Sequence, residues 1–143
     1  MGIWQQWAAG AALFAAITAV LAKLGVQGID ANLATLLRTW VVAVALSVLL
    51  LCNGQLSWSQ LQMLPRASLM PLLLSGLATG ASWLCYFQAL QLGPVSRVAP
   101  LDKISVVLVA LFGVTLLGEQ LSGRGWMGVV LMTLGAALVA WPD

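Results

Sequence analysis

The sequence predicts an all-α integral membrane protein, a bundle of five transmembrane helices, and three observations predict it. Hydrophobic residues make up 62% of the chain and charged residues only 7%, with a mean hydropathy of +1.01. The apolar residues fall into separate runs, each close to the roughly 20 residues that cross about 30 Å of hydrocarbon. Tryptophans gather near the ends of these runs, where amphipathic rings favour the headgroup level. A soluble domain averages about 45–50% apolar and about 25% charged residues, and a core of this size buries only about 68–70% of the unfolded chain's area. Lipid is the solvent that removes this conflict.

The five segments run over about 4–24, 33–52, 69–92, 95–117 and 125–141. Backbone groups in lipid must be satisfied within the segment, and the runs far exceed the roughly 10 residues of a barrel strand, so helix is expected throughout. The first segment lacks the basic n-region of a signal peptide and runs on from Ile3 to Ala22, so it is expected to stay in the mature protein. Gly25 to Asn32, Gly93-Pro94 and Gly118 to Arg124 read as turns. The longest link, Asn53 to Ser68, carries Trp58 and Leu61 and reads as a short amphipathic piece on the interface. No linker marks a second domain. Trp4, Trp7, Trp58 and Trp126 fall on the N-terminal side, Trp40 and Trp141 near the other, and Trp83 reads as deep.

Six Lys+Arg against four Asp+Glu give a net charge of +2, too little for nucleic-acid binding. There is no His, and Cys52 and Cys85 sit in apolar runs. No metal set, disulfide framework or cofactor is therefore expected, and both cysteines read as small buried hydrophobes. No Ser-His-Asp set or phosphate-cradling glycine loop argues for an enzyme.

Orientation is balanced. Arg66 and Arg124 lie on the N-terminal side, and Lys23, Arg38 and Arg97 on the other, with Lys103 deeper in the same half. The positive-inside rule works through a clear excess on one side, and none exists here. Two readings stand: a single topology fixed by the translocon or a partner, or dual topology with antiparallel pairing.

Charged side chains inside spans cost about 2.5–3.5 kcal/mol each at the bilayer centre on insertion scales. Counted from the segment starts, Arg38 lies roughly 7–8 Å deep and Lys103 about 12 Å. Asp30, Asp102 and Lys103 are placed to meet Lys23, Arg38 and Arg97 at one membrane face, either as interfacial ion pairing or as a charged gate or substrate site. Adjacent residues on a helix point about 100° apart, so Asp102 and Lys103 are expected to pair poorly with each other. Pro100 either kinks a fourth helix that begins near Val95 or precedes one that starts late, at Ala99. In the third helix Ser75, Thr79, Ser82 and Tyr86 form one polar stripe, read as interhelical glue or as a cavity wall with Trp83. Gly76 and Gly80 form a small-xxx-small pair suited to close helix contact. Glu119 is expected to serve the positive start of the last helix.

The stretch PVSRVAPLDKISVVLVALFGVTLLGEQLSGRGWMGVVLMTLGAALVA, Pro94 to Ala140, resembles the second half of an EamA domain. AVLAKLGVQGID and ATLLRTWVVA resemble that domain's opening helices. The polar and glycine positions carry the resemblance: the proline-rich start of the fourth helix, LGEQLS after it, and the glycine-spaced fifth helix. It implies the drug/metabolite transporter superfamily, and so movement of small metabolites or drugs across a bacterial cytoplasmic (inner) membrane. Typical members join two such domains into ten helices with inverted halves. One domain alone resembles the five-helix branch and implies an antiparallel homodimer. The first helix lacks the membrane carboxylate of small multidrug-resistance pumps, a departure that argues against their coupling mechanism.

The resulting expectation is a secondary transporter that takes a small-molecule substrate by alternating access and is not an enzyme. Lys23, Arg38, Ser82, Trp83, Tyr86, Asp102 and Lys103 are the candidate substrate-binding or gate residues. The cationic excess among them points to an anionic or zwitterionic substrate. A lipid flippase or scramblase, or a non-transporting membrane subunit, is the alternative.

Overall fold

The computed structural model describes residues 2–57 and 62–141. Among the described residues the chain is all-helical: α1 (Ile3–Gly25), α2 (Ala31–Cys52), α3 (Arg66–Leu92), α4 (Val95–Asp102), α5 (Ser105–Leu116) and α6 (Gly123–Ala140). α4 and α5 together make one span, so five segments are long and apolar enough to cross a membrane. Residues 58–61, and with them the Trp58 and Leu61 of the expected interfacial piece, lie outside the described residues.

The helices start where the local chemistry supplies a cap. Asp30 is extended at φ −63° and ψ 136°, and its carboxylate accepts the Asn32 and Leu33 N–H groups at 2.9 and 3.2 Å. This satisfies two of the donors that a helix start leaves open. α2 therefore begins two residues earlier than its hydropathy suggests. Gly28, at φ +84°, makes the turn that leads into it, a backbone conformation costly for any residue with a Cβ. α3 begins at Arg66, after Pro65, whose carbonyl accepts the Ser68 N–H at 2.9 Å. Ser122 caps α6 by accepting the Gly125 N–H at 3.2 Å. That is the place expected for Glu119. Instead the Glu119 carboxylate turns back onto α5, 2.8 Å from where a Cβ on Gly113 would sit.

The fourth span decides between the two proline readings. The helix starts at Val95 with Pro100 inside it and breaks after Asp102. Pro100 has no N–H to give the Ser96 carbonyl. The chain crosses the break on short bonds, Lys103 N–H to Pro100 O at 3.0 Å and Ile104 N–H to Leu101 O at 3.1 Å, the tighter i→i+3 pattern of a 3₁₀ turn.

The chain forms two compact units, Met1–Lys23 with Leu92–Asp143, and Leu24–Gln91. In the first, α4 and α5 pack on α6. In the second, Val26, Ala31, Ala34, Thr35, Phe87 and Leu90 are buried, Ala31 and Leu90 fully, and α2 reaches α3 through Arg38 and Trp83. Gln91 donates to the Ile29 carbonyl at 2.6 Å, which sets the end of α3 level with the start of α2.

Most other apolar side chains are exposed along the helices, the arrangement expected when lipid is the solvent. Two expectations change for this reason. Cys52 and Cys85 are free and exposed rather than buried, because a thiol facing hydrocarbon needs no protein core. Trp40, also exposed, stands nine residues into α2, about 13.5 Å along the axis and so near mid-helix, not at headgroup level. Trp4, Trp7 and Trp141 do project outward from helix ends.

Replacing Asp30 by alanine is expected to lower the stability of the detergent-solubilised protein by about 1 kcal/mol, and by serine much less. Leu92→Ala, at an 88% exposed position, should leave it unchanged. Thermal and denaturant unfolding measure both.

Candidate substrate site

The buried face of α2 is formed by Ala31, Ala34 and Thr35, and Arg38 is the next residue on it, following the i, i+3, i+4, i+7 spacing of a helix face. The matching face of α3 is Trp83, Phe87 and Leu90, with Tyr86 beside them. Arg38 is therefore aimed at α3 by register. Thr35, on the same face, satisfies its own hydroxyl by donating to the Ala31 carbonyl at 2.8 Å.

The Arg38 guanidinium lies over the Trp83 ring, 4.1 Å from its centroid, and 5.7 Å from that of Phe87. Tyr86 is within electrostatic range of it. A cation on the face of tryptophan gains about 0.5–2 kcal/mol, whereas an arginine at a helix centre costs about 2.5–3.5 kcal/mol on insertion scales. The rings thus offset part of the cost and leave the rest to water, lipid or a ligand. Asp30 is the one carboxylate in the Leu24–Gln91 unit, and it is engaged as the cap of α2. Among the described residues, no carboxylate lies within ion-pairing distance of Arg38.

In the other unit the charges meet different partners. Lys23 donates to the Gly93 carbonyl at 2.9 Å, tying the last turn of α1 to the link before α4. Lys103 pairs with Asp102 at 3.2 Å. This corrects the expectation that the two residues would point apart: α4 ends at Asp102, so they do not share a helix. The pair is exposed, at 57% for Lys103 and 39% for Asp102, about 12 Å along the span from Val95.

The structure therefore brings Arg38, Trp83 and Tyr86 together in one unit and Asp102 with Lys103 in the other. Asp30 serves the backbone of α2. Ser82 is exposed on the helix that carries Trp83. Of the polar stripe, Thr79 closes on its own helix, donating to the Ser75 carbonyl at 2.8 Å, as hydroxyls do when no better acceptor is near. Phe87 was missed, although its position four residues after Trp83 marks it as a neighbour on the same face. A Cβ on Gly76 or Gly80 would meet nothing within 4 Å, so this chain does not itself supply the close contact expected there.

Charges held inside apolar spans, and a span broken at a proline, are features that membrane transporters use. The EamA-like transporter family matches residues 2–141, and the chain belongs to that family. It is 50% identical over 137 residues, 96% of each chain, to a protein of Sinorhizobium sp described as an uncharacterized transporter in the cobO 3′ region. A local similarity, 40% over 41 residues, covers 29% of this chain and 12% of the UDP-N-acetylglucosamine/UDP-N-acetylgalactosamine transporter nstp-4 of Caenorhabditis elegans. No solved structure matches the chain.

A double-mutant cycle on Arg38→Leu and Trp83→Leu should return a coupling of about 1 kcal/mol in unfolding free energy. Additive effects of the two substitutions would show that the stacked pair contributes nothing to stability.

Proposed function

We propose that this protein is a secondary transporter of a small metabolite or drug-like molecule, working by alternating access as an antiparallel homodimer in a bacterial cytoplasmic membrane. The observation that carries the substrate site is Arg38, stacked on Trp83 inside a span and without a carboxylate partner among the described residues. A protein that needed only a stable helix pair would place an apolar residue there. Arg38, Trp83, Tyr86 and Ser82 bind the substrate. Asp102 and Lys103, at the break of the fourth span, together with Lys23 form the gate, because a broken helix supplies the hinge that alternating access requires. An exposed ion pair about 12 Å into a span also favours an aqueous vestibule over contact with lipid.

The pairing is supported by three features. The five spans resemble one of the two inverted halves from which typical transporters of this kind are built. Arginine and lysine are balanced across the two sides, which permits insertion in both senses. The open Gly76–Gly80 face offers a close-packing surface to a second copy. The bacterial relative supports the bacterial membrane.

In proteoliposomes with an imposed gradient, Arg38→Ala and Lys103→Ala should each reduce flux at least tenfold, with membrane protein levels unchanged. Normal flux in both variants would leave these residues to structure alone. Lipid translocation without solute flux would favour a flippase. Reporters fused to each end of the chain should reveal both orientations in one membrane. A single orientation in every molecule would end the antiparallel reading.

A further inference from the structure

We infer that Arg38 is the recognition point for an oxyanion, the carboxylate or phosphate group of the transported molecule. The inference rests on the transporter reading and names the substrate class for the same site. A guanidinium has two flat faces and an edge of five N–H donors. The guanidinium carbon lies over the Trp83 ring at 4.1 Å, and a ring takes none of these donors as an oxygen acceptor would. Among the described residues no acceptor takes those donors and no carboxylate pairs with the charge.

Snorkelling to the near interface does not describe this side chain. The Gln91–Ile29 bond sets the two helix ends level. Arg38 lies seven residues beyond Ala31 and Trp83 eight residues before Gln91, or about 10.5 and 12 Å along their helices. The ring beneath the guanidinium is thus at least as deep as the arginine, and the side chain runs across to α3 instead of outward.

The residue type narrows the chemistry further. A lysine would supply a point charge, whereas the arginine fork matches two oxygens of one carboxylate or phosphate and stays charged when dehydrated. Contact with Trp83 holds the guanidinium in place in advance, which lowers the ordering cost of binding. A cationic ligand is disfavoured by the same charge. The oxyanion has two sources, a soluble organic anion or a phospholipid headgroup, and the experiment separates them.

The full chain, purified into phosphatidylcholine vesicles, would be titrated with benzoate, its neutral analogue benzamide, and inorganic phosphate, reading the melting temperature and the apparent Kd. A second series in vesicles containing phosphatidylglycerol tests the lipid source. Benzoate or phosphate should raise the melting temperature and benzamide should not. Arg38→Lys should weaken anion binding about tenfold, because it keeps the charge and loses the fork. Arg38→Gln should abolish binding, and Arg66→Gln should leave it unchanged. The lysine variant keeps a cation in the helix pair and so guards against a simple loss of fold. Stabilisation by phosphatidylglycerol alone, lost in Arg38→Gln, would assign the same oxyanion site to a lipid headgroup. No response to any anion, or an equal response in Arg38→Gln, would overturn the inference. Gradient-driven flux measured on the same vesicles separates the two ideas: flux without anion binding sinks only the oxyanion site, and anion binding without flux sinks only the transporter reading.

Discussion

A full charge placed within an apolar helix pair has to be compensated, and in this chain the compensation of Arg38 organises the unit around it. Because lipid offers no hydrogen bonds, the guanidinium must take what the neighbouring helix provides, and that is the ring of Trp83 at 4.1 Å. The contact spans α2 and α3 through long side chains, the arginine reaching from one helix and the tryptophan ring from the other. It requires the right register, which the buried Phe87 and Leu90 and the Gln91–Ile29 bond maintain. It also requires that the acid of the same unit be otherwise engaged, and Asp30 is held by the first N–H groups of α2. Apolar packing between helices in lipid has little hydrophobic drive of its own, so these few polar and aromatic contacts matter more than they would in water.

The fourth span answers a different demand. Pro100 withdraws a donor from the helix ladder, and the chain recovers by tightening over Lys103 and Ile104 before α5 begins. The break releases Asp102 and Lys103 from a common helix and lets them neutralise each other. Elsewhere the hydroxyls of Ser47, Thr79, Thr115 and Thr133 donate to carbonyls four residues earlier on their own helices. These residues are thereby made compatible with lipid, and a hydroxyl in an apolar run is poor grounds for assigning a site.

The five spans were legible because hydropathy and length report directly on the solvent. The proline break was legible as one of two readings, since a missing donor has a fixed local consequence. Partners of the charges were not, for reasons that differ residue by residue. Asp30 before an apolar run has the pattern of a helix cap, but its charge made it look like an ion-pair partner. The pairing of Asp102 with Lys103 was hidden because the expectation assumed an unbroken helix through both. Arg38 with Trp83 was readable in principle from the spacing of Ala31, Ala34, Thr35 and Arg38, together with Trp83, Phe87 and Leu90. Attention to hydroxyls alone pointed at the stripe beside it. Burial was misjudged for Cys52 and Cys85 because their lipid-facing surroundings look, in composition, the same as a protein core.

Lys23, Lys103 and Arg38 are compensated in three distinct ways, and the differences sort them by role. Lys23 gives its ammonium to the Gly93 carbonyl, close to the end of α3, where a positive charge complements the helix dipole. That contact ties α1 to the link before α4, and a gate that opens there has to break it. Lys103 has a carboxylate beside it, so a ligand or a change of conformation has to break an ion pair to use it, as a gate would require. Of these three cations, Arg38 is the one compensated by something that cannot accept its N–H groups. A stacked ring lowers the cost of the charge while leaving the hydrogen-bonding edge unspent, and an anion can occupy that edge without displacing any contact that holds α2 and α3 together. Of Lys23, Lys103 and Arg38, the arginine is therefore the one whose existing contacts favour binding over structure.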